Sequence, residues 1–292
     1  MREIRKISTQ DKNYPKLLKE IKDPPEFLYH RGEVLPDEDC LAIVGTRRCS
    51  SYGKQIALEI AGELTEVGLT IVSGLAPGID TFVHRSVVER KKRTIAVLGT
   101  GIDEKSIYPK ENLKLAKKIL ETGGCLISEY PAGTPGSKFT FPQRNRIISG
   151  LSLGVLVIEA KEKSGALITA QLAKSQGRKV FAIPGQIYSL NSKGCHYLIK
   201  QGAKLVESAE DILKEFSLSF KKLGRTGVPY FGESNVEERL ILKILKEGAL
   251  DIDKIIEKTK LPAQKVASTL ANLEIQGKVR NLGRNIYAIS YR

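Results

Sequence analysis

Short apolar runs of four or five residues recur along the centre of this chain, each stopping at a Gly, Ser or Glu and each followed by a stretch of helical period. Leu41-Ala42-Ile43-Val44 ends at Gly45, and Ile56, Ile60, Leu64 and Val67 then share one helical face before Gly68 stops it. The pattern repeats as strand Leu69 to Ser73, helix Ile79 to Arg90, strand Thr94 to Leu98, helix Glu111 to Glu121 and strand Cys125 to Ser128. After a long loop and a short helix starting near Arg144 come strand Gly154 to Glu159, helix Ala166 to Gln176 and strand Lys179 to Ile183. Runs that are apolar throughout belong to parallel strands covered on both faces, because a strand with one wet face alternates instead. Repeated βα units of this length predict an α/β fold: a Rossmann-like, doubly wound, mostly parallel sheet over residues 40–215.

A chain of 292 residues needs more than one core. Residues 216–234 lose all periodicity and gain Gly, Ser and Pro, which predicts a linker. Beyond it, Val236, Leu240, Ile241, Ile244 and Leu245 form one helical stripe, Ile252, Ile255 and Ile256 a second, and Val266, Leu270 and Leu273 a third. Gly277 stops the last helix, and Val279-Arg280-Asn281 with Ile286 to Ile289 flank a Leu282 to Asn285 turn. Three short helices and a hairpin predict a C-terminal winged-helix domain over 235–292, with Lys265, Ser268, Lys278, Arg280 and Arg284 available to a duplex, although many such modules bind protein instead. Residues 1–39, mildly acidic, are expected to be an N-terminal extension packing on the sheet.

The net charge of +14 favours a polyanionic partner, and most of the excess falls between residues 40 and 213. No apolar run is long enough to span a bilayer, and Met1 to Lys6 is not followed by a signal-peptide core, so no membrane partner and a cytoplasmic location are expected. Cys40, Cys49, Cys125 and Cys195 lack Cys-x-x-Cys spacing and His30, His84 and His196 stand far apart, so neither a metal site nor a disulfide framework is expected.

In a sheet of this kind ligands sit at the carboxyl ends of the strands. Those ends carry Gly45-Thr46-Arg47-Arg48, Ser73-Gly74-Leu75-Ala76, Gly99-Thr100-Gly101, Glu129-Tyr130-Pro131 and Glu159-Ala160 leading to Lys163-Ser164-Gly165. A dinucleotide site would need Gly-x-Gly-x-x-Gly after the first strand and an acid ending the second; neither is present, and no Gly-x-x-x-x-Gly-Lys-Ser/Thr exists, so no nucleotide cofactor is expected. What the rim offers is an anion site of helix N-termini with Arg47 or Arg48, Ser73 and the Ser164-Gly165 turn. Beside it runs Lys138-Phe139-Thr140-Phe141-Pro142-Gln143-Arg144-Asn145-Arg146, cations and aromatic rings with no acid among them. Single-stranded nucleic acid calls for that pairing, cations for phosphates and flat faces for unstacked bases. Such clusters also form on solvated faces, where long stems cover rings.

The ordered set Val44-Gly45-Thr46-Arg47, Ser73-Gly74-Leu75-Ala76-Pro77-Gly78-Ile79-Asp80, Tyr108-Pro109, Ser128-Glu129-Tyr130-Pro131, Phe141-Pro142-Gln143-Arg144-Asn145-Arg146, Glu159-Ala160, Ser164-Gly165-Ala166-Leu167-Ile168-Thr169-Ala170 and Pro184-Gly185 resembles the DNA-processing protein A (DprA, also called Smf) family over about residues 8 to 213. The resemblance implies a non-catalytic single-stranded DNA-binding protein that protects incoming DNA in natural transformation, works as a homodimer and helps load the RecA recombinase. It places the strand against Arg47, Lys138, Phe141 as the stacking ring, and the Arg144-Asn145-Arg146 helix start. Ser164, Gly165 and Thr169 line the same rim, and Gly45, Thr46, Ser73 and Gly74 complete the expected DNA contacts. Pro77, Phe82-Val83 and His196 depart from the usual pattern without removing one of these contacts.

The other reading of the same scaffold is a nucleotide phosphoribohydrolase, which needs a Pro-Gly-Gly-x-Gly-Thr-x-x-Glu loop that Lys163 to Thr169 does not supply. A third is a winged-helix transcription regulator with a ligand-sensing sheet. Asp80 and His84 share a helical face, but Asp80 is expected to bind neighbouring backbone and Glu129 and Glu159 to orient rim groups rather than to catalyse. Of Phe139 and Phe141 at most one should face the rim, the other entering the core, and Arg47 and Arg48 should not both point inward.

Overall fold

A computed structural model describes residues 3–216, 236–245, 248–275, 278–283 and 285–290. The chain divides into two compact units, Met1–Gly227 and Val228–Arg292.

The first unit opens with β1 (Arg5–Ser8), α1 (Lys16–Lys19) and β2 (Phe27–Arg31). Then follow β3 (Cys40–Val44), α2 (Ser51–Glu66), β4 (Thr70–Ser73), α3 (Ile79–Glu89), β5 (Thr94–Leu98), α4 (Leu113–Glu121) and β6 (Cys125–Ser128). It continues through α5 (Thr140–Gly150), β7 (Gly154–Val157), α6 (Gly165–Ser175), β8 (Lys179–Ala182), α7 (Lys193–Lys200), β9 (Lys204–Leu205) and α8 (Ala209–Glu215). Among the described residues the sheet has nine strands in the order β1-β2-β6-β5-β4-β3-β7-β8-β9. From β6 to β9 every neighbour is parallel, whereas β2 runs antiparallel to both β1 and β6.

Alternation along each strand divides the core between the two faces of the sheet. Ala42, Val44, Val72, Val155 and Val157 enter one apolar layer, and Leu41, Ile43, Ile71, Leu156 and Ile158 the other. The run from β3 to β6 winds one way, and β7 then crosses to the far side of β3. That reversal opens a crevice between the carboxyl ends of β3 and β7, the place where a doubly wound sheet holds its ligand.

The N-terminal segment adds β1 and β2 to the edge of the sheet, and between them Leu18 and Ile21 pack against α5 at Gly150. Short α7, two-residue β9 and α8, which sequence patterning did not pick out, complete the far edge. Ser208 and Asp211 form a reciprocal capping box at the start of α8. Phe216 packs edge-on against Phe181 at 5.6 Å, and the rest of the expected linker, 217–234, lies outside the described residues.

The second unit comprises α9 (Val236–Leu245), β10 (Leu250–Asp251), α10 (Ile252–Thr259), α11 (Ala263–Ile275), β11 (Val279–Asn281) and β12 (Ile286–Ile289). Its three helices enclose Ile241, Leu245, Ile255, Val266, Leu270 and Leu273, with Val279 from the wing. The wing has a third strand, because β10 pairs with β12 beside the β11–β12 hairpin. Asp251 caps α10 by accepting the Lys254 N–H at 2.9 Å. Gly277 and Arg284 lie outside the described residues.

Candidate nucleic-acid interface

The crevice at the ends of β3 and β7 is an open cleft of about 530 Å³. Gly45, Thr46, Arg47 and Arg48 come from the loop after β3, and Lys161, Ser164 and Gly165 from the turn after β7. The start of α5 brings Lys138, Phe141, Arg144 and Asn145, and Thr169 reaches in from α6.

Phe141 is held by what lacks a side chain. A Cβ on Gly99 would stand 2.8 Å from its Cδ1, and one on Gly136 would stand 2.5 Å from its Cζ. The ring fits because both neighbours are glycines. Tyr108 packs against it at 5.6 Å between centroids, and the Arg47 guanidinium lies 5.3 Å from its centroid, within cation–π range. Arg47, Arg48, Lys138 and Lys161 are exposed, and among the described residues none forms an ion pair.

The floor has the opposite character. Arg144 is 4% exposed, and its guanidinium donates to the Gly74 carbonyl at 2.8 Å and to the Val97 carbonyl, tying the ends of β4 and β5 together. Asp80 Oδ2 accepts the backbone N–H groups of Gly74 at 3.0 Å and Ala76 at 3.4 Å. Burial pushes the Arg144 guanidinium down to about 10, while the Asp80 carboxylate opposes that shift. Burial likewise pushes the Asp80 carboxyl up, against the pull of Arg144. Arg144 therefore remains a cation at neutral pH.

One level deeper, His84 shares a 2.9 Å hydrogen bond with Thr94 Oγ1, whose own proton goes to the Ile71 carbonyl at 2.6 Å, so Nδ1 carries the hydrogen. Burial pushes this imidazole down to about 3. At the mouth, Ser164 precedes α6 in an extended conformation without capping it, and its hydroxyl is buried with no partner. Beside it, nothing stands within 4 Å of where a Gly165 Cβ would be. An open helix N-terminus with an unused hydroxyl suits an anion.

A family model described as DNA recombination-mediator protein A matches residues 5–217, and one for the DprA winged helix domain matches residues 233–283. The chain belongs to the DNA-processing protein A family. It is 47% identical over 214 residues to the DNA processing protein DprA of Bacillus subtilis, covering 73% of this chain and 71% of that one. It is 38% identical over 277 residues to the Smf protein of Escherichia coli, covering 93% and 74% respectively. The DprA crystal structure from Streptococcus pneumoniae superposes with a TM-score of 0.68 at 45% identity, over 73% of this chain and 74% of that one. DNA processing protein A from Helicobacter pylori, a structure concerned with a single-stranded DNA binding mode, gives a TM-score of 0.66 at 30% identity over 74% and 96%.

Within this DNA-processing family fold, the predicted contacts separate into a rim and its supports. Gly45, Thr46, Arg47, Lys138, Phe141, Arg144, Asn145, Ser164, Gly165 and Thr169 all line the cleft, whereas Ser73, Gly74 and Arg146 do not. Ser73 is fully buried and donates to the Ile43 carbonyl at 2.7 Å. Gly74 has its N–H on Asp80 and its carbonyl on Arg144. Arg146 is engaged by Glu129 at 2.6 and 3.0 Å and by Asp23 at 3.1 Å.

The expected pair of Arg forks at a helix start fails because α5 begins at Thr140, whose N–H is accepted by the Ser137 hydroxyl at 3.1 Å just ahead of the helix. Pro142 fits in the first turn, where an N–H is not needed, so Arg144 and Arg146 lie a turn further in. Phe139 is not core but 72% exposed, with Lys138 Nζ 5.1 Å from its centroid. Arg47 and Arg48 both border the cleft, on the loop after β3 where strand alternation does not apply. Asp80 binds backbone as expected, and Glu159 takes the Ser50 N–H at 2.9 Å and the Asn191 amide at 3.3 Å. Lys161, missed in the sequence, has one signal: it follows Glu159-Ala160 at a strand end.

Proposed function

We propose that the cleft binds single-stranded DNA, with phosphates on Arg47, Arg48, Lys138, Lys161 and the Ser164-Gly165 helix start and one base against Phe141. The carrying observation is a fixed, half-buried ring with Arg47 beside it, in a cleft whose exposed cations no described acid neutralises. Thr169 and Asn145 both direct hydrogen bonds to the Gly165 carbonyl, at 3.2 and 3.4 Å, and so brace that turn. Ser73, Gly74, Arg144 and Arg146 act as supports. An open mouth with cations along it suits a strand better than a closed metabolite.

The family's recombination-mediator description supports a wider role: shielding incoming DNA in the cytoplasm during natural transformation and passing it to RecA recombinase, as a homodimer and without a chemical step. The phosphoribohydrolase alternative finds little support, since Asp80, the one acid among the lining residues, is 5% exposed and spent on backbone. The test is anisotropy with labelled oligo-dT, duplex and RNA over a salt series. Single strands should bind best, with a logarithmic salt slope of about 0.7 per phosphate contacted. Affinity that ignores salt, or adenine released from AMP, would overturn the reading.

A further inference from the structure

The loop between β8 and α7 carries Ile187, Tyr188 and Leu190, which are 64%, 91% and 68% exposed. Apolar side chains this open are costly unless something covers them, and the backbone that bears them is pinned. Ser189 N–H bonds the Gln186 carbonyl at 3.0 Å and Ser192 N–H the Ser189 carbonyl at 3.1 Å, which folds the loop on itself. The Ala160 N–H donates to the Asn191 carbonyl at 2.7 Å, and the Tyr52 hydroxyl to the Pro184 carbonyl at 2.9 Å. The Asn191 amide donates to the Arg48 carbonyl at 3.1 Å and to Glu159 at 3.3 Å. A rigid loop is thus fastened to Arg48, a residue of the cleft wall.

Its chemistry repeats that of the cleft. From Gly185 to Gly194 the sequence Gly-Gln-Ile-Tyr-Ser-Leu-Asn-Ser-Lys-Gly contains a lysine and no acid. Arg48 and Lys161 are exposed on the adjoining segments. Apolar and aromatic side chains set among cations fit the bases and phosphates of one strand, whereas a purely apolar partner would leave the cations unmatched.

We infer that this loop is a second stacking platform: single-stranded DNA leaving the Phe141 cleft passes Arg48 and lays a further base on Tyr188, over Ile187 and Leu190. The inference rests on the proposed function of the cleft. It implies that short strands fill the cleft alone and longer ones engage the loop as well.

Anisotropy with oligo-dT of roughly 6 and roughly 16 nucleotides separates the two. Tyr188→Ala, at a site exposed enough to leave the fold intact, should weaken the longer strand at least about fivefold and leave the shorter one unchanged, while Tyr188→Phe binds like the parent. Phe141→Ala should weaken both lengths. If Phe141→Ala weakens both and Tyr188→Ala neither, the platform is wrong and the cleft stands. If Phe141→Ala weakens neither, it is the cleft reading that fails. Equal weakening of both lengths by Tyr188→Ala would make the loop part of the cleft and not an extension of it. Unchanged DNA affinity with a shift in sedimentation would make it a contact between two copies. Either result overturns the proposal.

Discussion

The two units hold their positive charge in opposite ways. Around the cleft of the α/β unit, Arg47, Arg48, Lys138 and Lys161 face solvent without an acidic partner among the described residues. In the winged-helix unit, Lys265 on α11 is paired with Glu237 at 2.6 Å and Lys278 with Glu238 at 3.6 Å, both acids lying on α9. Total charge does not distinguish these cases, since a basic module whose Lys265 and Lys278 are already matched offers less to a phosphate backbone than its composition suggests. What counts is where unmatched cations gather, and in the α/β unit four of them surround one cleft.

The strongest challenge to that contrast lies beneath the rim. Arg144→Ala should deprive the buried Gly74 and Val97 carbonyls of their guanidinium donor and the Asp80 carboxylate of its neighbouring cation, and lower the stability of the α/β unit by about 3–5 kcal/mol, leaving the winged-helix transition in place. Calorimetry on the full chain reads this directly; a loss shared by both transitions would contradict it. Next comes Phe141→Ala, which should cost about 1–3 kcal/mol of oligo-dT affinity, with Lys138→Glu weakening binding roughly tenfold or more and flattening its salt dependence. Phe141→Ala binding like the parent would reduce the rim to bare charge.

His84 separates the units by pH, since residues 236–292 contain no histidine. Its folded value of about 3 lies below the ordinary value near 6.5, so the unfolded chain binds the extra proton between them. Stability present above pH 6.5 is lost as pH falls towards 3, at up to about 1.4 kcal/mol per pH unit. Urea melts across that window should show His84→Gln losing less than the parent. The smallest effect is in the winged helix: Glu237→Gln with Glu238→Gln should leave its melting midpoint almost unchanged, since each amide oxygen still accepts from its lysine. It should raise duplex affinity in low salt several-fold, and an unchanged gel shift would show that the ion pairs are not what masks α11.

Most of the architecture was written in local pattern. The central strands are apolar runs that no helix of that length could use, and Thr94–Leu98 and Cys125–Ser128 coincide with the expected bounds. Elements whose identity depends on distant partners were not legible: β9 is a two-residue strand with both side chains exposed, made by pairing with β8. The site divides along the same line. Glycine-rich strand ends and the Lys138 to Phe141 stretch announced the rim. The inward turn of Arg144 and Arg146 depends on carbonyls and carboxylates drawn from β4, β5 and residues 23 and 129, far off in the chain. Arginine in a basic run reads as a phosphate ligand until those acceptors are known.

The glycine clasp on Phe141 has a kinetic corollary. In the proposed binding mode a ring wedged between Gly99 and Gly136 keeps its place, and the arriving base would displace the exposed Arg47 guanidinium beside it. Empty and loaded forms should then share one orientation of the ring and differ in the guanidinium. Entry would then be an exchange of one flat cationic group for a flat base, with no rearrangement of the sheet to slow it.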